Sequence, residues 1–255
     1  MDKKFLKSES AVSEVVGFIL VFSIIMLAIG VIYAVGYPTI QSSKENTQFQ
    51  NMEQSFMVLQ SNINTVAFDH APVKTLKTSL GGGSLTVNSS KGHITVERQN
   101  AEIRYSGTLG AIEYEKNGRS VAYEGGGVWE KYPAGAAIKL SEPRIFVQDV
   151  DGNRTVFVSI INISGEMSSV GGDGTASVVV RSKPSTYPLN ITYFYDNVII
   201  TVKSDYADAW GRHFNGIIDL TGTDEVVRGP DDEVNATIWC ETLVVNEHVI
   251  EVEVS

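Results

Sequence analysis

The side chains in this 255-residue chain that could do chemistry are four histidines, one cysteine and 30 acidic residues. His70, His93, His213 and His248 are scattered and form no His-x-x-x-His pair, so no zinc-type set is expected from them. No Gly-x-Ser-x-Gly elbow presents a nucleophile, and no glycine loop ends in a lysine able to cradle phosphate. Gly171-Gly-Asp-Gly174 reads as a loop, not a dinucleotide fingerprint. Asp149-Val-Asp-Gly-Asn153 offers oxygens for calcium, but its glycine falls too early for an EF-hand and the segment reads as a hairpin. Asp231-Asp-Glu233, near Asp224-Glu225, reads as a solvated acidic loop ahead of a cation site. Cys240, beside Trp239, reads as a small buried hydrophobe. The expectation is therefore no catalysis, no cofactor and no metal.

Charge and sulfur narrow the classes further. Thirty acidic against 20 basic residues give a net charge of -10 and a pI of 4.9, with no basic stripe to displace counterions from a nucleic acid. A single thiol excludes an intrachain disulfide. Five Asn-x-Ser/Thr sequons, at Asn88, Asn153, Asn162, Asn190 and Asn235, make glycan acceptance the strongest chemical signal, and glycans there would shield sheet edges.

The elements that must position these residues divide at Lys44. From Val15 to Ser43 there are 29 residues without a formal charge. At about 1.5 Å per helical residue the apolar run Val15 to Val35 crosses a hydrocarbon core of about 30 Å, and only a helix satisfies its backbone there. The run is too long for a secretory signal peptide. Lys3, Lys4 and Lys7 precede it and only Lys44 follows closely, which places Met1 in the cytoplasm and the remainder outside.

Pro38, after Gly36 and Tyr37, should kink or interrupt the helix. Phe49, Met52, Phe56, Leu59, Ile63 and Val66 then recur at three- and four-residue spacing, an amphipathic helix that either packs on its own globular domain or joins an intersubunit coiled coil. From Ala71-Pro72 onward short alternating runs predict an all-β region, an antiparallel sandwich or long meander. Asn117-Gly118 and Asp151-Gly152 are two-residue hairpin signals. Ser204 to Phe214 predicts a short helix capped by Ser204. The fold class is α+β: a long N-terminal hydrophobic and amphipathic helix followed by an antiparallel, sandwich-like extracellular β head. The expected bounds are a cytoplasmic leader at 1–10, a membrane or filament-core helix at 11–37, an amphipathic stalk at 38–71 and the β domain at 72–255.

The short charged leader and the segment Ser10-Ala-Val-Ser-Glu-Val-Val-Gly-Phe-Ile-Leu20 resemble the start of archaeal type IV pilin-like precursors with a class III signal peptide. The pattern runs from Ala11 to Leu20 and the resemblance covers about the first 40 residues. It departs from the family at Glu14, where many members carry proline, and at the Glu9-Ser10 flank. The resemblance implies cleavage between Ser10 and Ala11 by a prepilin-type peptidase, then packing of the freed helix with like subunits into a filament for adhesion or surface structure. Processing falls to Ser10 and Ala11, and assembly to Glu14, Val15, Gly17 and Phe18. Physically, dragging Lys3, Lys4 and Lys7 into a helical bundle costs several kcal/mol, so the leader holds the precursor in the bilayer. Once cut, the Ala11 ammonium could pair with Glu14 of a neighbour and set register. On its own residues Glu14 also reads as an interfacial carboxylate in the headgroups. The alternative function is an uncleaved, single-pass membrane-anchored binding or envelope protein whose head takes a surface or glycan ligand.

Overall fold

The computed structural model describes residues 8–255 except 70, 100–102, 134, 136, 186 and 219–223, with side chains from Val15 onward other than those of 103 and 194. Two compact units result, Met1–Gln50 and Asn51–Ser255.

Helix α1 (Ser8–Phe68) supplies the whole described part of the first unit and the opening of the second. It runs through Pro38 without interruption, contrary to the expected break. Proline removes one amide donor, that toward the Ala34 carbonyl, and a helix long on both sides absorbs a loss of about 3 kcal/mol. The next residue holds its turn by a second bond, Thr39 Oγ1 donating to the Val35 carbonyl at 2.9 Å.

Within the second unit, Met52, Phe56, Leu59, Ile63 and Val66 are all buried, so this part of α1 packs on its own domain. The three- and four-residue spacing puts these five on one stripe. Polar groups fix the stripe's position. Gln60, nearly buried, donates through Nε2 to the carbonyls of Gly126 (2.7 Å) and Glu142 (3.0 Å) and accepts through Oε1 from Ser141 Oγ (2.6 Å). Arg119 bridges Glu53 at 3.0 Å and the buried Glu130. The Arg144 guanidinium lies 4.3 Å from the Phe68 ring centroid.

The strands follow in chain order. They begin with β1 (Val73–Ser79), β2 (Gly83–Asn88), β3 (His93–Arg98), β4 (Ile103–Thr108) and β5 (Ala111–Lys116). Next come β6 (Arg119–Glu124), β7 (Gly127–Lys131), β8 (Ile138–Ser141), β9 (Ile145–Val150) and β10 (Asn153–Ser164). The remainder are β11 (Ser168–Gly172), β12 (Thr175–Lys183), β13 (Asn190–Lys203), β14 (Glu225–Arg228) and β15 (Glu233–Val254), with helix α2 (Ala207–Ile217) between β13 and β14. One sheet has the order β11-β2-β5-β6-β7-β8; the other runs β1-β12-β15-β13-β3-β4, with β10, β14 and β9 added on β15 and β10.

The head is thus β-rich and largely antiparallel, as the alternation predicts. One pair departs from that: β10 and β15 run parallel over Thr155↔Thr242 to Ser164↔Glu251. Parallel neighbours require a long crossover, and the chain from β11 to β14 provides it. Both predicted hairpins form. Asn117 and Gly118 have φ of 54° and 76°, and Asp151 and Gly152 of 54° and 81°, the left-handed pair that a two-residue turn requires.

Helix α2 inserts Trp210 and Phe214 into the core common to both sheets, with the Trp210 ring centroid 4.6 Å from that of Trp129 on β7. Ser204 does not cap it in the expected way. The N-cap position is Tyr206, without a side-chain cap bond, because the Ser204 hydroxyl donates to the buried Glu124 carboxylate while accepting from the Tyr206 amide at 3.0 Å.

If the second part of α1 is core, Ile63→Ala removes a fully buried side chain and costs about 2–5 kcal/mol, while the half-exposed Val58→Ala stays within about 0.5 kcal/mol. Chemical denaturation of the detergent-solubilised chain, followed by tryptophan fluorescence, separates the two; equal small effects would place this stripe outside the core.

Candidate functional site

The segment of α1 from Val15 to Ile40 contributes no side chain to the buried core. Its best 18-residue window has a mean hydropathy of 3.0 and contains no buried residue. Phe18 is 72% and Leu27 70% exposed, and the surface is apolar all round, the composition of a helix surrounded by nonpolar material. By length and composition this helix can cross a membrane, which is compatible with single-pass anchoring.

Its few polar groups are satisfied within the helix. Ser23 Oγ donates to the Ile19 carbonyl at 2.7 Å, as Thr39 does to Val35, so neither hydroxyl needs water. Phe18 and Phe22 stack at 6.4 Å, and Tyr33 and Tyr37 at 5.6 Å. The two tyrosines lie toward the end of the apolar run, where amphipathic rings suit a membrane interface. A Cβ added at Gly17, Gly30 or Gly36 would meet nothing within 4 Å, so the chain's own packing does not demand glycine at any of them.

The sequence-derived processing and assembly residues all fall on this helix. Ser10, Ala11 and Glu14 lie within its helical span, their side chains outside the described residues, and Met1 to Lys7 lie outside them altogether. Val15 and Phe18 are exposed and Gly17 offers open backbone beside them.

The five sequons are not brought together, and their surroundings differ. Asn153 and Asn190 are exposed, at the starts of β10 and β13; Asn190 Oδ1 accepts from Thr192 Oγ1 at 2.8 Å. Asn88 Oδ1 accepts from the Ser90 amide at 2.9 Å in a turn. By contrast, Asn162 Nδ2 donates to Glu247 (3.2 Å) and Asn235 Nδ2 to Glu233 (3.1 Å), so both nitrogens are engaged in the sheet.

Asp149 Oδ1 accepts from the Gly152 amide at 2.9 Å inside the hairpin. Asp231 and Asp232 sit exposed in a turn, but Asp224, expected in a solvated loop, is buried: both carboxylate oxygens accept from Arg154 and Oδ1 also takes the Trp239 amide at 2.9 Å. A partner 70 residues distant in the chain leaves no local sign of that burial. His213 is buried against the Ile145 carbonyl and its imidazole is pushed down to about 4 by burial, while burial pushes the Cys240 thiol up to about 12. His93 is exposed beside Ser106, His248 packs edge-on against Phe68, and His70 lies outside the described residues. Among the described residues no three His, Cys, Asp or Glu side chains are grouped so as to hold a metal ion. Among the buried acids that sequence reasoning passed over is Glu124, at the end of β6. The signal available was a glutamate closing an otherwise apolar run directly before Gly125-Gly-Gly127.

Comparison with known proteins adds a lineage. The family of unknown function DUF7289 matches residues 11–254. Two uncharacterized proteins of Archaeoglobus fulgidus are similar to this chain, one 25% identical over 84% of it and 86% of the relative, the other 24% identical over 91% of each. No solved structure matches.

Proposed function

The chain belongs to the DUF7289 family, and from that premise we propose that it is a pilin-like surface subunit, inserted in the membrane as a precursor, cut before Ala11 and assembled through its apolar helix into a filament. The observation that carries this reading is the helix from Val15 to Ile40, apolar on every side and unburied by its own chain. Lipid covers such a surface in the precursor, and like helices cover it in a bundle.

Three further observations support the reading. The family match starts at Ala11, the residue that would become the new amino terminus. The two relatives are archaeal. Gly17 sits where no contact of its own chain needs a missing Cβ, and glycine on an apolar helix allows a neighbouring backbone close approach. In the assembly the Ala11 ammonium pairs with Glu14 of the next subunit, since a carboxylate left alone in a low-dielectric bundle is strongly disfavoured. The β head carries the outer surface, with glycans on the exposed acceptors Asn153 and Asn190 and on the part-exposed Asn88.

Two measurements test these assignments. Glu14→Ala should reduce filaments in the mechanically sheared surface fraction at least tenfold while the amount of membrane-inserted chain stays unchanged; full filament yield would remove Glu14 from assembly. Glycopeptide mass spectrometry of the native chain should find modification at Asn153 and Asn190 and none at Asn162 or Asn235. Occupancy confined to the last two would contradict the surface argument.

A further inference from the structure

Glu124 is 1% exposed, yet it lines an open cleft of about 400 Å³. Its Oε1 accepts from Ser204 Oγ and from Trp210 Nε1, the latter at 3.1 Å. Among the described residues the hydrogen bonds to this carboxylate all end on Oε1, none on Oε2. That oxygen lies against Gly92, which has φ of 64°, and a Cβ there would stand 2.8 Å from Oε2. A side chain at 92 would therefore press on the free oxygen, and glycine leaves it open.

Three turns wall the cleft, at 90–93, 203–205 and 231–232. Their charges decide what fits. Lys91 is held by Glu113 on β5 (2.6 Å) and Asp205 (2.9 Å), so its ammonium is already paired. Lys203 lies on the rim, opposed by Asp231 and Asp232, the latter 3.4 Å from Arg228. His93, also on the rim, bonds to Ser106. The Tyr206 hydroxyl is engaged with Glu113 and Ser120. An anion entering this cleft would meet a buried carboxyl at its base and two aspartates at its mouth. A metal ion would find no group of three ligating side chains among the described residues.

We propose that the cleft binds a primary ammonium group, seated on the free Oε2 of Glu124, with the hydroxyls of Ser90 and Thr108 on the same wall as further acceptors. An ammonium has three donors and needs several acceptors around it, which a carboxylate oxygen among hydroxyls provides. The group comes either from a small free amine or from a lysine side chain presented by another protein. Burial, opposed by the Ser204 and Trp210 bonds, raises the Glu124 carboxyl to about 7. Ammonium binding requires the ionised form, so apparent affinity weakens as pH falls through that value and levels off above it.

The test is a titration of the full chain in detergent, read by tryptophan fluorescence, because Trp210 donates to the same carboxyl. The probes are ethylammonium chloride and the tripeptide Gly-Lys-Gly, with tetramethylammonium chloride as the cation lacking N–H donors. Ethylammonium or the peptide should give a saturable change at pH 8, with the dissociation constant about tenfold weaker at pH 6, and tetramethylammonium should give none. Preference for ethylammonium identifies a free amine as the source, and preference for the peptide a lysine side chain. Glu124→Gln should abolish the response while the thermal transition is retained. The proposal is overturned if neither primary amine gives a saturable signal, if tetramethylammonium matches them, or if the wild-type affinity is the same at pH 6 and pH 8. The last two comparisons need only the wild-type chain, so they decide the question even if the variant does not fold.

Discussion

An apolar helix surface that its own chain leaves uncovered must be covered by something else. Each square ångström of apolar area kept from water is worth about 25 cal/mol, and a fully exposed Leu or Phe side chain forgoes roughly 1.5–3 kcal/mol. The 18 large apolar residues exposed between Val15 and Ile40 therefore represent a driving force of roughly tens of kcal/mol toward lipid or like helices. The rest of the organisation is consistent with that single requirement. Ser23 and Thr39 turn their hydroxyls back to the helix, the glycines leave its surface open, and further polar residues begin only at Gln41, past the apolar run.

The second unit shows the complementary solution. There the same helix has one apolar stripe, not an apolar circumference, and Met52 to Val66 are buried by the β head itself. Gln60 makes the docking specific, since all three of its bonds reach backbone or hydroxyl groups on the sheet side and would be lost by a shift of one residue. α1 is thus one continuous helix with two chemistries, one closed by its own domain and one left open. Under the proposed function the open part is the assembly element and the closed part fixes where the head begins.

Local signals were legible in the sequence and distant ones were not. The stripe from Met52 to Val66, the Asn117-Gly118 and Asp151-Gly152 turns, and the long apolar run all depend on residues within a few positions of one another. Glu241 and Asn246 break the apolar character of residues 236–254 into separate short runs, whereas the structure has the single strand β15. Its neighbours β10, β12, β13 and β14 tie that strand together, and nothing near residue 241 announces them. Strand β7 escaped notice for the opposite reason: Gly127-Val-Trp-Glu130 is buried on both faces and shows no alternation. Glu124 and Asp224 were hidden in the same way, since a buried acid is recognisable only by partners, Trp210 and Arg154, that lie 86 and 70 residues away.

Whether the apolar helix is freed from its charged leader in order to assemble is decided by the intact N-terminus of the native protein. Terminal-peptide mass spectrometry of the membrane fraction and of the mechanically sheared surface fraction gives the answer. Cleavage before assembly gives a sheared species beginning at Ala11. A chain that begins at Met1 or Asp2 and is confined to the membrane would contradict it and leave an uncleaved, membrane-anchored protein.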